Sequence, residues 1–266
     1  MNMRLLKLEA SGGLSLTEFV EDSVPQYAIL SHTWGANDDE VTFKDLMDHT
    51  GKKKAGYAKI QFCAKQAAND GLQYFWVDTC CIDKSSSAEL TEAINSMFRW
   101  YREAVKCYVY LSDVSRSDGD EYDHLSRSTW KLALRKSRWF TRSWTLQELI
   151  APKSVEFFSL EGERLGDKIS MEQQVYEITG IDVQALRGNP LSSFSVTERM
   201  SWAAKRKTTR KEDKAYSLLG IFDIHMPLIY GEGKEKAFIR LREEIEKSVK
   251  GEYREDFKEP QGSSCA

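Results

Sequence analysis

A chain of 266 residues, 41% hydrophobic and 11% aromatic, is long enough to bury a sizeable core, as one large α/β domain or a domain with a smaller appendage. Its 38 basic and 41 acidic side chains leave a net charge of -3, so there is no basic excess to condense on phosphates, which argues against nucleic acid as a main partner. The five cysteines (Cys63, Cys80, Cys81, Cys107 and Cys265) are odd in number and lack C-x-x-C spacing, so they read as free, buried thiols of a reducing cytosol, with no disulfide framework and no metal site.

Taken in chain order, Met1 to Leu16 has no long apolar core and no small-residue cleavage pattern, so no signal peptide is expected. Tyr27-Ala28-Ile29-Leu30-Ser31, closed by Gly35, reads as a first buried strand. Tyr57, Ile60, Cys63, Ala64 and Ala67 recur at helical spacing, with Gly71 ending the pattern. Tyr74-Phe75-Trp76-Val77 is aromatic and β-branched, as a central strand prefers. Ser86-Ser87-Ala88-Glu89 has the form of a capping box, followed by a helical stripe of Leu90, Ile94, Met97, Phe98 and Tyr101. Cys107 to Leu111 is a third strand, and Ser112 to Ser128 reads as a long polar loop. Two helices, Trp130 to Ser137 and Ser143 to Ile150, precede the helix-stopping Pro152 and a fourth strand at Val155 to Phe158.

Strands separated by helices imply parallel pairing and right-handed crossovers. The expected fold is therefore α/β: an open, mainly parallel, flavodoxin- or TIR-like sheet in the order 2-1-3-4, flanked by helices. Beyond Leu160, helical patterns dominate, at 171–179, 196–205, 212–222 and 234–249. This predicts a core over 1–160, a helical subdomain over 161–250 packed on it, and a polar linker or tail over 251–266. No apolar run approaches the ~20 residues that cross a bilayer, so no membrane span is expected and the protein reads as cytoplasmic.

Three long stretches resemble the blocks of the fungal heterokaryon incompatibility (HET) family: Tyr27 to Gly35, Tyr74 to Asp83, and Ser137 to Pro152. Similarity continues at Glu198 to Ala204, Glu212 to Gly220 and Pro227 to Gly233, covering about residues 4 to 247. The resemblance implies a cell-death effector of non-self recognition, often fused to or activated by a receptor with a nucleotide-binding oligomerisation module. HET domains are also distant relatives of TIR domains, and the segment from Ser143 to Leu149 resembles the TIR stretch that carries the glutamate needed to cleave NAD at the nicotinamide–ribose bond. Carried over, that residue is Glu148; Thr145 departs from the cysteine often found there. The resemblance thus implies NAD as substrate, no separate cofactor, and activity as a homo-oligomer. The competing expectation is a non-catalytic adaptor that self-associates and recruits a downstream executioner.

Ligands of open α/β sheets bind beyond the carboxyl ends of the strands, where these blocks place polar groups. Ser31, His32, Trp34 and Gly35 follow the first strand, and Asp78, Cys80 and Asp83 the second. Trp144 and Glu148 lie four apart, on one face of a helix. Glu148 is the candidate catalytic carboxylate, able to stabilise an oxocarbenium-like ribose, and Trp144 or Trp34 a stacking wall. Ser31 and His32 can hydrogen-bond ribose or phosphate, and Gly35 allows close backbone approach. Plainer roles stay open: Glu148 as a salt-bridged helix residue, Asp78 as a turn cap, His32 as a structural histidine, Cys80 and Cys81 as packing. Gly231-Glu232-Gly233-Lys234 reads as a helix start in preference to a phosphate cradle. Basic runs at Lys52 to Lys54 and Lys205 to Lys211 read as solvated, the latter paired with Glu212 and Asp213.

Overall fold

A computed structural model of the protein describes residues 2–10, 12–20, 23–116 and 124–255. The chain opens with a hairpin of β1 (Asn2–Leu8) and β2 (Leu14–Val20), then β3 (Tyr27–His32), α1 (Phe43–Met47), α2 (Tyr57–Asn69), β4 (Tyr74–Trp76), α3 (Ser87–Glu103) and β5 (Lys106–Tyr110). It continues through α4 (His124–Lys136), α5 (Thr145–Ile150), β6 (Val155–Phe158), β7 (Arg164–Asp167), α6 (Glu172–Thr179), α7 (Val183–Leu186), α8 (Val196–Ala204), α9 (Asp213–Tyr216) and α10 (Lys234–Glu255).

One seven-stranded sheet runs in the order β2-β1-β4-β3-β5-β6-β7. Its four central strands are parallel and carry the expected 2-1-3-4 order. The edges are antiparallel: β1 pairs with β4, β2 with β1, and β7 with β6. All six residues of β3 are buried, because helices cover both faces of a central parallel strand. Alternation then sorts its side chains. Tyr27 and Ser31 face α3 and α5, where the Tyr27 hydroxyl donates to the Trp100 carbonyl. Toward α2, the Tyr108 hydroxyl reaches Asp70 and Phe62 packs on Tyr110 and Phe158.

Several elements differ from expectation. The N-terminal hairpin replaces a stretch that carries no obvious strand alternation, since Leu5 and Leu6 are both buried, one on each face. The loop expected to reach Ser128 is helical from His124, and residues 117–123 lie outside the described residues. The expected helix at 212–222 ends at Tyr216, and tight turns follow. There Gly220 sits so close to Phe98 that any Cβ would overlap its ring. The polar tail is helical through Glu255, since one glycine inside a helix costs only about 1 kcal/mol and its neighbours are good helix formers. Positions 256–266 of that tail lie outside the described residues. At α3, Ser86 caps the Glu89 N–H, but the Glu89 carboxylate takes the Asp83 N–H and pairs with Arg4, so the capping box is only half formed.

Candidate functional site

Glu148 is the fourth residue of the short helix α5, which Pro152 cuts off soon after. Its carboxyl points inward, not to water, and the residue is 8% exposed. The Ser31 hydroxyl donates to its Oε2 at 2.5 Å, and the buried Trp139 indole N–H donates to Ser31 Oγ at 2.8 Å. Ser31 is the penultimate residue of β3, so this relay joins the carboxyl end of the central strand to α5. The Tyr101 hydroxyl donates to the neighbouring Leu30 carbonyl. No salt bridge neutralises Glu148 among the described residues; Arg142 and Arg206 act on it only at longer range. Burial therefore dominates and pushes its pKa up to about 8, opposed by the Ser31 hydrogen bond and reinforced by Asp78.

A second layer sits on the other side of β3. The Lys59 ammonium of α2 meets Glu40 Oε1 at 2.5 Å, and the same oxygen accepts from the Gly35 N–H at 2.6 Å. Lys59 also donates to the Thr33 carbonyl. This buried pair braces the turn after β3, and the N–H of Gly35, expected to allow close backbone approach, is taken up by Glu40. His32 lies between Glu40 Oε2 at 3.8 Å and Asp78 Oδ1 at 3.9 Å. Burial, with Lys59 beside it, holds its pKa well below the ordinary value, so the ring is neutral. Its Nε2 has no hydrogen-bond partner among the described residues.

Above this layer Trp34 is 37% exposed. Its indole N–H donates to Asp78 Oδ2 at 2.9 Å, which makes Asp78 a partner of Trp34 and not a turn cap. Lys84 Nζ lies 3.8 Å from the Trp34 ring centroid and 3.9 Å from Asp78, and the Arg142 guanidinium lies 5.9 Å from the ring. Ser31, His32, Trp34, Gly35, Asp78 and Glu148 thus gather around the carboxyl end of β3.

Three candidates take other places. Cys80 is fully buried, with its thiol pKa pushed up by burial, so it packs. All four described cysteines are free and buried; Cys265 lies outside the described residues. Asp83 accepts from the Ser85 N–H and hydroxyl, closing the turn before α3. Trp144 turns its indole N–H toward Asp213 of α9, 3.4 Å away, and Asp213 also accepts from the Tyr230 hydroxyl, so Trp144 and Glu148 send their polar atoms to separate partners.

The glycine turn before α10 is already filled by an anion of the protein itself, since Glu212 Oε1 accepts from both Gly231 N–H and Gly233 N–H. Arg206, expected to be solvated, is 4% exposed. Its guanidinium donates to the Trp202 and Arg142 carbonyls and the Thr145 hydroxyl, locking the start of α5. A cavity of about 550 Å³ between α8 and α10, lined by residues such as Val196, Met200 and Ile245, shares no residue with the cluster at β3.

The residues that sequence reasoning missed are Trp139, Arg142, Lys84 and the Glu40–Lys59 pair. Trp139 and Arg142 stand inside the Ser137 to Pro152 block, which is the one signal that could have found them. Glu40 and Lys59 belong to no motif.

An open α/β sheet with a proton-bearing carboxyl beside the end of its central strand defines the class of site. Residues 27–129 match the family described as heterokaryon incompatibility protein (HET). Over 246 residues the chain is 60% identical to the vegetative incompatibility protein HET-E-1 of Podospora anserina, a stretch that covers 92% of this chain and 18% of that protein. The chain belongs to the HET family, as its motifs imply. No solved structure matches it.

Proposed function

We propose that this chain is the cell-death effector domain of fungal non-self recognition, and that it cleaves NAD at the nicotinamide–ribose bond once assembled into an oligomer. In the whole protein it would act in the cytoplasm, fused to or activated by a nucleotide-binding oligomerisation receptor. The carrying observation is the Glu148 carboxyl, buried with no salt-bridge partner among the described residues and held by Ser31 at the end of β3.

The chemistry needs little machinery. The C1′–N bond breaks heterolytically, its electron pair leaves with the nicotinamide nitrogen, and a positive charge develops on the ribose. A carboxylate beside C1′ stabilises that charge, and water then adds to C1′ with loss of a proton. At rest Glu148 keeps its proton, with a pKa of about 8. A bound pyridinium cation favours loss of that proton, so substrate itself would generate the reactive carboxylate. Trp34 offers an exposed indole face for a stacked ring.

The test is nicotinamide release from NAD by the chain alone and by a forcibly tethered oligomer. Release that is lost in Glu148→Gln supports the reading; no release in either state rejects it. Killing that survives Glu148→Gln would instead favour a non-catalytic adaptor that recruits another executioner.

A further inference from the structure

Two basic side chains flank Trp34. Lys84 and Arg142 bring two positive charges to the ring, and Asp78 returns one negative charge. Glu40 is neutralised by Lys59 and His32 is neutral, while the Asp39 carboxylate lies beside Gly35. The two cationic groups at the ring are suited to an anionic ligand.

Arg142 carries the stronger argument. It makes no salt bridge among the described residues, yet it is half-buried and its backbone is fixed on all sides. Its N–H donates to the Trp139 carbonyl, and its own carbonyl accepts from Thr145 and Arg206. Both neighbours of Arg142 are tied as well: the Ser143 N–H donates to the Lys207 carbonyl, and the Lys207 N–H to that of Thr141. A guanidinium carried on so fixed a turn, 5.9 Å from the Trp34 ring, is placed to offer a forked grip to an oxyanion.

We infer that Arg142 and Lys84 hold the pyrophosphate of the substrate, so that the site selects a pyridine dinucleotide over the bare pyridine nucleoside. This rests on the hydrolase reading above and goes beyond it by naming what the site recognises away from the broken bond. Nicotinamide riboside carries only the pyridinium charge and offers Arg142 and Lys84 no oxyanion, whereas NAD brings two phosphates to them.

The experiment compares kcat/KM for nicotinamide release from NAD and from nicotinamide riboside, using the tethered full chain and its Arg142→Gln, Arg142→Lys and Lys84→Gln variants. A charge-assisted hydrogen bond is worth roughly 10- to 100-fold. The wild type should therefore prefer NAD by about 100-fold, Arg142→Gln should reduce that preference about tenfold through KM, and Arg142→Lys should retain part of it. Lys84→Gln should give a smaller reduction. A wild type that cleaves both substrates equally, or an Arg142→Gln change that slows both equally, overturns the inference and leaves the hydrolase reading intact. The melting temperature with ADP-ribose gives a readout without turnover, and far-ultraviolet circular dichroism checks folding. A rise in the wild type that is lost in folded Arg142→Gln, with no nicotinamide released from either substrate, supports the phosphate grip while sinking the hydrolase reading.

Discussion

Glu40 and Glu148 are both buried, 6% and 8% exposed, on opposite faces of the same strand, and their surroundings treat them in opposite ways. Glu40 has a lysine at 2.5 Å and a backbone N–H on the same oxygen, so its negative charge is fully answered inside the protein. Glu148 has a hydroxyl at 2.5 Å and no salt-bridge partner among the described residues, so it answers burial by keeping a proton. A matched buried pair is a brace, dangerous to break and chemically inert. An unmatched buried carboxyl is costly to ionise, which is the state a ligand's positive charge can relieve. The two glutamates separate the scaffold of the site from its chemistry.

The largest effect should come from breaking the brace. Lys59→Met leaves the Glu40 charge buried without its partner and should destabilise the protein by about 3–5 kcal/mol in chemical denaturation, with a second change, Glu40→Gln, restoring part of the loss. If Lys59→Met is neutral, Glu40 and Glu148 are not different in kind.

Glu148→Gln should behave in the opposite sense. A carboxyl whose folded pKa is raised from 4.5 to about 8 binds its proton more tightly folded than unfolded. The folded state therefore loses stability as pH rises between those values, by about 3 kcal/mol at pH 7, while below pH 4.5 both states are protonated and nothing changes. Glu148→Gln removes this titration, so its stability should exceed the wild type's increasingly from pH 5 to 8. Equal pH slopes for the two proteins would contradict the assignment.

Gly56→Ala sharpens the description of the brace, because a Cβ there would lie 2.7 Å from the Asp39 carbonyl oxygen and 2.8 Å from Glu40 Oε2. A loss of about 1–3 kcal/mol is expected on thermal denaturation. Trp139→Phe should have the smallest effect, about 1 kcal/mol, because it removes the N–H that orients Ser31 while keeping most of the ring.

The parts of this molecule legible in its sequence are those encoded locally. Four apolar runs separated by helical stripes announced the central strands, while the order 2-1-3-4 came only by analogy with flavodoxin-like folds. The hairpin was silent, because β1 lies inside the sheet and buries adjacent leucines on both faces, erasing the period-two signal. The edge strand β7, Arg164 to Asp167, has no β-branched residue, and the Arg164 salt bridge to Glu156 of β6 is not readable from spacing. At the site, Ser31 and Glu148 could be named separately, but they are 117 residues apart and no spacing rule brings them together. Arg206 looked solvated as part of a basic run; its burial depends on carbonyls of the turn it locks, which a charge pattern does not reveal. The glycine turn before α10 read as a plain helix start, but that Glu212, from about twenty residues earlier, accepts from its N–H groups was not readable.

Everything chemical rests on Glu148 holding a proton at neutral pH inside the folded chain. Carbon NMR of the chain labelled at glutamate carboxyls, with Glu148→Gln to assign the resonance, measures that directly. A carboxyl titrating near pH 8 in the wild type, and missing from the variant, is the predicted result. A Glu148 resonance that titrates near 4.5 would mean an ordinary solvated carboxylate and would contradict it.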